Sequence, residues 1–190
     1  MCGIYGEVSL NQTIDHLRIN KNLQLLDHRG PDDEGIWIND DRKIAFGFKR
    51  LSIIDLSKRG NQPMIDSSNN YVIIFNGEIY NFKEIRAELI NHGHKFETNS
   101  DSEIVSAAFL QWGIKCAEKF NGMFAFAIWD TKKQNLHLAR DRYGIKPLYY
   151  AQFGNTFLFA SEQKAILEHP IAERAIDKKA LVEYFTFQNI

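Results

Sequence analysis

Five apolar residues follow one another without a break in Tyr71-Val72-Ile73-Ile74-Phe75. A strand of this kind has no face to give to water, so it must be covered on both sides. The run therefore predicts a buried strand inside a layered core. It ends at Asn76-Gly77, where the chain is expected to change direction. The other elements agree with a layered design. Apolar alternation from Ile4 to Leu10 predicts a strand that would hold the amino terminus in a sheet. Ile14, Leu17, Leu23, Leu25 and Leu26 predict an amphipathic helix that starts near Asp15, and His28-Arg29-Gly30-Pro31-Asp32 stops it. Gly35–Ile38 and Lys43–Arg50 read as two strands, and Ser52–Pro63 as a loop. Helices are expected at about Phe82–Asn91 and Ser102–Trp112, the second with Ser100 and Asp101 placed to cap it and Glu103 in its first turn. Met123–Trp129 pairs with Leu136–Arg140, and Leu148–Gln152 and Thr156–Ala160 flank Gly154-Asn155. Glu162–Leu167 and Lys178–Phe185 close the chain as helices. Strands interleave with helix pairs, so the class is α+β with sheets packed in layers. Fourteen phenylalanines favour a thick, sheet-rich core.

Charge and composition remove several kinds of partner. The chain carries 24 acidic and 23 basic residues in 190, which argues against nucleic-acid or anionic-membrane binding. No apolar run approaches the roughly 20 residues of a membrane span, and no basic-then-apolar leader precedes Cys2. With only Cys2 and Cys116, a disulfide framework is not expected, and a cytoplasmic location fits best. His92-Gly93-His94 lacks nearby ligands at a recognised spacing, so no metal site is expected. No glycine-rich phosphate loop is present. Cys116 lies between helical segments and reads as a packed thiol. The basic stretch Arg140–Pro147 reads as a bracing loop or as a surface facing another domain.

The chemistry centres on Cys2. If Met1 is removed, Cys2 carries both a thiol and a free α-amine. The amine has an intrinsic pKa of roughly 7.7–8.0 and the thiol about 8.5, so the amine can take the thiol proton near neutral pH. Taken alone, a cysteine near a terminus is more simply a small packed residue. Three further stretches change that reading. Arg50 stands where a strand gives way to a loop; it is either a surface residue or a guanidinium that grips a carboxylate by two hydrogen bonds. Asn76-Gly77 is either a hairpin turn or an oxyanion hole built from the Asn76 amide and the Gly77 N–H. Asp101 is either a helix cap or, with Glu78, a partner for a ligand ammonium. Together these groups ask for a carboxylate, an ammonium and a carbonyl placed at Cys2. Glutamine is a molecule that offers all three.

Six blocks in this order resemble the glutamine-hydrolysing asparagine synthetases. They are Met1-Cys2-Gly3-Ile4, His28–Asp32, Arg50–Asp55, Asn76–Asn81, Ser100-Asp101 and Arg140–Tyr149. The resemblance covers essentially the whole chain and implies the N-terminal glutaminase domain, a class II glutamine amidotransferase. It implies a four-layer αββα sandwich of antiparallel sheets of the N-terminal-nucleophile hydrolase type. It also implies a nucleophile at Cys2, an oxyanion hole at Asn76 and Gly77, and substrate contacts from Arg50, Leu51, Ser52, Ile53, Ile54, Glu78 and Asp101. In such proteins a second domain uses ATP and magnesium to make asparagine from aspartate. No serine-glycine-glycine loop for that purpose occurs here, so the chain is expected to be a fragment that needs no cofactor of its own. Residues 1–190 would form the glutaminase domain, with about 177–190 starting the connection onward. Glutamine and that synthetase domain are the expected partners, with a homodimer left open. A different ammonia acceptor, or a non-catalytic glutamine-binding relative, is the competing reading.

Overall fold

The structure, a computed structural model, describes residues 1–51, 61–66, 68–98 and 100–187. Two antiparallel sheets form its centre. The first contains β1 (Gly3–Ser9), β2 (Asp33–Ile38), β3 (Ile44–Arg50), β8 (Tyr149–Phe153) and β9 (Thr156–Ala160), in the order β2-β3-β1-β9-β8. The second contains β4 (Met64–Ile65), β5 (Tyr71–Ile79), β6 (Gly122–Asp130) and β7 (Asn135–Arg140), in that order. The helices are α1 (His16–Gln24), α2 (Phe82–Asn91), α3 (Asp101–Trp112), α4 (Cys116–Lys119), α5 (Gln163–Leu167) and α6 (Lys178–Phe187).

Three separate apolar clusters define four layers. Ile4, Phe46, Phe48, Val72, Ile74, Ala125, Ala127 and Phe159 pack between the sheets. Tyr5, Ala45, Leu158 and Ala160 point the other way, onto Ile19 and Leu23 of α1 and Ile166 of α5. Ile73, Phe75, Phe124, Phe126 and Ile128 likewise turn outward, onto Ile85 and Leu89 of α2 and onto Ile104, Val105 and Phe109 of α3. Successive strand residues alternate faces, so a run such as Tyr71-Val72-Ile73-Ile74-Phe75 is apolar without a break because its sheet is covered on both faces. The expected αββα sandwich is therefore present, and Tyr71–Phe75 has the two-sided burial its composition requires.

Three expectations are corrected. The chain does not change direction at Asn76-Gly77: β5 continues to Ile79, in register with β6 along its whole length (Asn76 opposite Ala125, Gly77 opposite Phe124, Ile79 opposite Gly122). Here glycine meets a packing requirement, since a Cβ on Gly77 would lie 2.5 Å from the Met123 carbonyl oxygen. The cap of α3 is Ser100, whose hydroxyl accepts the Glu103 N–H, and Asp101 is the first helical residue. The Leu17 side chain, assigned to the apolar face of α1, is largely exposed, and Ile14 fills that role from just before the helix. Cys116 is fully buried, and burial pushes its thiol up to about 12, as expected of a packed thiol. The Arg140–Pro147 segment is a braced loop, because the Asp141 carboxylate accepts N–H bonds from Phe124, Tyr143, Ile145 and Lys146.

Candidate active site

Strand parity places the site. Cys2 immediately precedes β1 and packs with Ile4 on the inner face. On β3, Phe46 and Phe48 face inward, so Arg50, two residues further, shares that face. On β5, Val72 and Ile74 face inward, and by the same period Asn76 and Glu78 do too. Cys2, Arg50, Asn76 and Glu78 thus share the inner side of the two sheets.

The Cys2 thiol is half-buried and free. Leu51 brackets it: its N–H lies 3.5 Å from Sγ, and Sγ is 3.9 Å from the Leu51 carbonyl. Arg50 Nη1 donates to Asn61 Oδ1 at 3.0 Å. Ser52, Ile53 and Ile54, also expected to line the pocket, lie outside the described residues.

Asn76 is 2% exposed, and its Nδ2 has no hydrogen-bond partner among the described residues. An unpaired buried donor costs on the order of 1–3 kcal/mol, so an amide in this state suits an acceptor supplied by a ligand. Gly77 adds a second donor. Phe124 donates to Asp141 Oδ2 at 3.2 Å and accepts from the Asp141 N–H at 2.8 Å, so both its backbone groups point toward the β7 side. Residues opposite each other in an antiparallel pair then alternate, and Gly77 turns its N–H away from β6. On that open side no strand pairs with Gly77 among the described residues, because β4 reaches only Val72 and Ile73. The Asn76 Nδ2 and the Gly77 N–H are thus adjacent donors without a partner strand or side chain among the described residues, and a pair of such donors is what an oxyanion requires.

Asp101 Oδ2 accepts the Ile79 N–H at 2.9 Å, so the carboxylate ties the start of α3 to the end of β5. Burial raises its pKa, the Ile79 bond offsets part of this, and the Glu78 carboxylate raises it further. Two neighbouring carboxylates, one partly buried, suit a ligand cation placed between them. Replacing Asp101 with asparagine should therefore leave stability at neutral pH unchanged or improved, because the raised carboxyl pKa means ionisation there opposes folding. The same change should raise the KM for an ammonium-bearing ligand about 10- to 100-fold, the value of a charged hydrogen bond. Steady-state kinetics together with thermal melts check both halves.

Sequence reading missed Arg29 and Glu162. Arg29 Nε donates to the Cys2 carbonyl oxygen at 3.0 Å, and its Nη1 donates to Glu162 Oε1 at 3.0 Å. His28 Nε2 also meets Oε1, at 2.8 Å, and Lys164 Nζ meets Oε2 at 3.1 Å. Burial opposes ionisation of Glu162, but Arg29, Lys164 and His28 together hold its carboxyl at about 2. Gly30 permits this packing, since a Cβ there would lie 2.5 Å from the Lys49 backbone. The depressed folded-state pKa makes the stabilisation complete above about pH 4.5, with loss as pH falls toward 2. With the carboxylate a quarter exposed, screening reduces the contribution to about 1–2 kcal/mol. Glu162→Gln should lower Tm at pH 7 by about 3–6 °C, and the gap to wild type should narrow at pH 3.

Among the described residues no group of three or more His, Cys, Asp or Glu side chains could hold a metal ion. His94 Nε2 instead pairs with Gln111 at 3.0 Å. No helix among these residues is long and apolar enough to cross a membrane.

Comparison with known proteins agrees with this geometry. A family described as a glutamine amidotransferase domain matches residues 1–190. Asparagine synthetase (glutamine-hydrolysing) 3 of Bacillus subtilis strain 168 is 41% identical over 189 residues, covering 97% of this chain and 30% of that protein. Asparagine synthetase (glutamine-hydrolysing) 1 of the same organism is 43% identical over 194 residues, with 99% and 30% coverage. This chain thus spans about 30% of the length of these relatives. The fold resembles that of a B. subtilis glutamine phosphoribosylpyrophosphate amidotransferase complexed with ADP and GMP, with TM-score 0.72 at 22% identity, covering 87% of this chain and 43% of that one.

Proposed function

Since this chain belongs to the glutamine amidotransferase domain family, of class II and N-terminal-nucleophile fold, we propose that its inter-sheet site hydrolyses the side-chain amide of glutamine at Cys2. The observation that carries this reading is the buried Asn76 Nδ2, without a hydrogen-bond partner among the described residues, on the inner face that Cys2 also shares. Arg50 takes the substrate α-carboxylate, Asp101 and Glu78 take its α-ammonium, and Leu51 to Ile54 line the pocket. The Cys2 α-amine removes the thiol proton as sulfur attacks the amide carbon. The carbonyl oxygen becomes an oxyanion held by Asn76 Nδ2 and the Gly77 N–H. Collapse breaks the C–N bond, and the α-ammonium returns its proton to the departing nitrogen, which leaves as ammonia. Water, deprotonated by the same amine, then cleaves the thioester to glutamate.

The ammonia is destined for a synthetase domain that makes asparagine from aspartate with ATP and magnesium, groups bound outside this chain. Residues 1–190 act as the glutaminase domain, with about 177–190 beginning the connection onward. In support, α6 buries none of its residues and exposes Val182, Phe185 and Phe187. An uncovered apolar face of that size suits a further domain.

The test compares two forms of the chain, one beginning with Cys2 and one retaining Met1. Retention converts the proposed base into a non-basic amide. The first form should release glutamate and ammonia from glutamine, and the second should fall to background. Equal release by both would remove the α-amine from the mechanism.

A further inference from the structure

We propose that Gln62 is a positioning residue for the oxyanion hole: its carboxamide closes the open edge of β5 at Phe75 and so leaves the Gly77 N–H available beside the Asn76 amide. The proposal rests on the glutaminase reading above and adds a residue that acts through the backbone of β5.

The register carries the argument. β4 pairs Met64 with Ile73 and Ile65 with Val72. Continued one step in that register, the ladder would set the backbone of Gln62 opposite Phe75. Continued another, it would bring position 60 opposite Gly77 and consume the N–H that the site requires. At Gln62 the backbone leaves that register. The Gln62 side chain takes the place of its own backbone: Nε2 donates to the Phe75 carbonyl at 3.1 Å, and Oε1 accepts the Phe75 N–H at 2.5 Å. The Gln62 backbone meanwhile lies against β2, close enough that a Cβ on Gly35 would be 2.0 Å from its carbonyl oxygen. A backbone turned toward one sheet cannot extend the ladder of the other, yet Phe75 stays paired.

Gln62 joins other parts of the site as well. Its Nε2 also donates to Ser102 Oγ at 2.9 Å, next to Asp101, and the preceding Asn61 holds Arg50. Gln62 is 7% exposed, and both amide atoms are used. Phe75 is the residue before Asn76, so displacement of its peptide moves both oxyanion donors together. Sub-ångström placement of such donors decides how strongly they act.

The experiment is a double-mutant cycle on the chain that begins with Cys2. Gln62→Met, which keeps length but removes the amide, should lower kcat about 10- to 100-fold while KM changes less than about threefold. In an Asn76→Ala background, where the hole is already incomplete, the same change should cost less than about threefold. Amide exchange at Phe75 should accelerate at least about tenfold in Gln62→Met, because its N–H loses its partner. Should Gln62→Met fail to fold, Gln62→Glu, whose carboxylate still accepts the Phe75 N–H but no longer donates to the Phe75 carbonyl, should show the same kinetic pattern in both backgrounds. An active wild type combined with equal fold-losses in both backgrounds, a loss carried by KM, or unchanged Phe75 exchange in Gln62→Met would overturn this proposal alone. A folded wild type that releases no glutamate would overturn the functional reading and this proposal with it.

Discussion

Replacing Cys2 with alanine is expected to lower glutamate release by about four orders of magnitude or more, because a nucleophile acting with its own base leaves little residual chemistry when removed. The other thiol cannot substitute. Cys116, the second cysteine, lies in the outer core beside α3, where burial pushes its thiol up to about 12. A thiol that stays protonated at neutral pH is a poor nucleophile. The fold should survive the change. Cys2 is half-buried at the edge of the inter-sheet cluster, and losing one sulfur there costs about 1 kcal/mol or less. Glutamine binding should also survive, since Arg50, Glu78 and Asp101 are untouched. Activity assays alongside calorimetric titration with glutamine separate these outcomes. Loss of binding together with loss of activity would point to a collapsed site.

Asn76→Ala should reduce kcat by about 10²–10³-fold with little change in KM, the usual consequence of deleting one oxyanion donor. Its effect on stability should run the opposite way from that of an ordinary buried polar residue. The Asn76 Nδ2 is buried without a partner among the described residues, so the folded protein carries its desolvation penalty in the absence of substrate. Removing the amide should leave Tm unchanged or slightly higher. Losing activity while keeping or gaining stability is the signature of a group strained for function. A drop in Tm of several degrees with kcat intact would reassign Asn76 to a structural role.

Much of this was legible in the sequence, for identifiable reasons. Unbroken apolar strands such as Tyr71–Phe75 report burial on two faces, and the two-layered cover follows. Helix α2 runs over Phe82–Asn91 as its periodicity indicates. Asn76-Gly77 misled because the pair is a strong turn signal locally. Here the glycine is demanded by the close approach of β6, and the strand runs through it. Ser100 and Asp101 both looked like caps because they stand at a helix start; the Ser100 hydroxyl takes that task, and the Asp101 carboxylate turns instead to the Ile79 N–H. Arg29, Glu162 and Gln62 were missed for a common reason. Arg29 and Glu162 meet across 133 residues of sequence, and Gln62 reaches Phe75 by replacing a backbone pair. Neither kind of contact leaves a local pattern. A two-residue strand such as Met64–Ile65 is likewise too short to show a period.

The most direct measurement is the intact mass of a chain that begins with Cys2, mixed briefly with glutamine and quenched in acid. The account predicts a transient gain of one glutamyl group, located by peptide mapping on Cys2 and enriched when breakdown is slowed. Glutamate release with no such adduct, or with the adduct on any other residue, would contradict it.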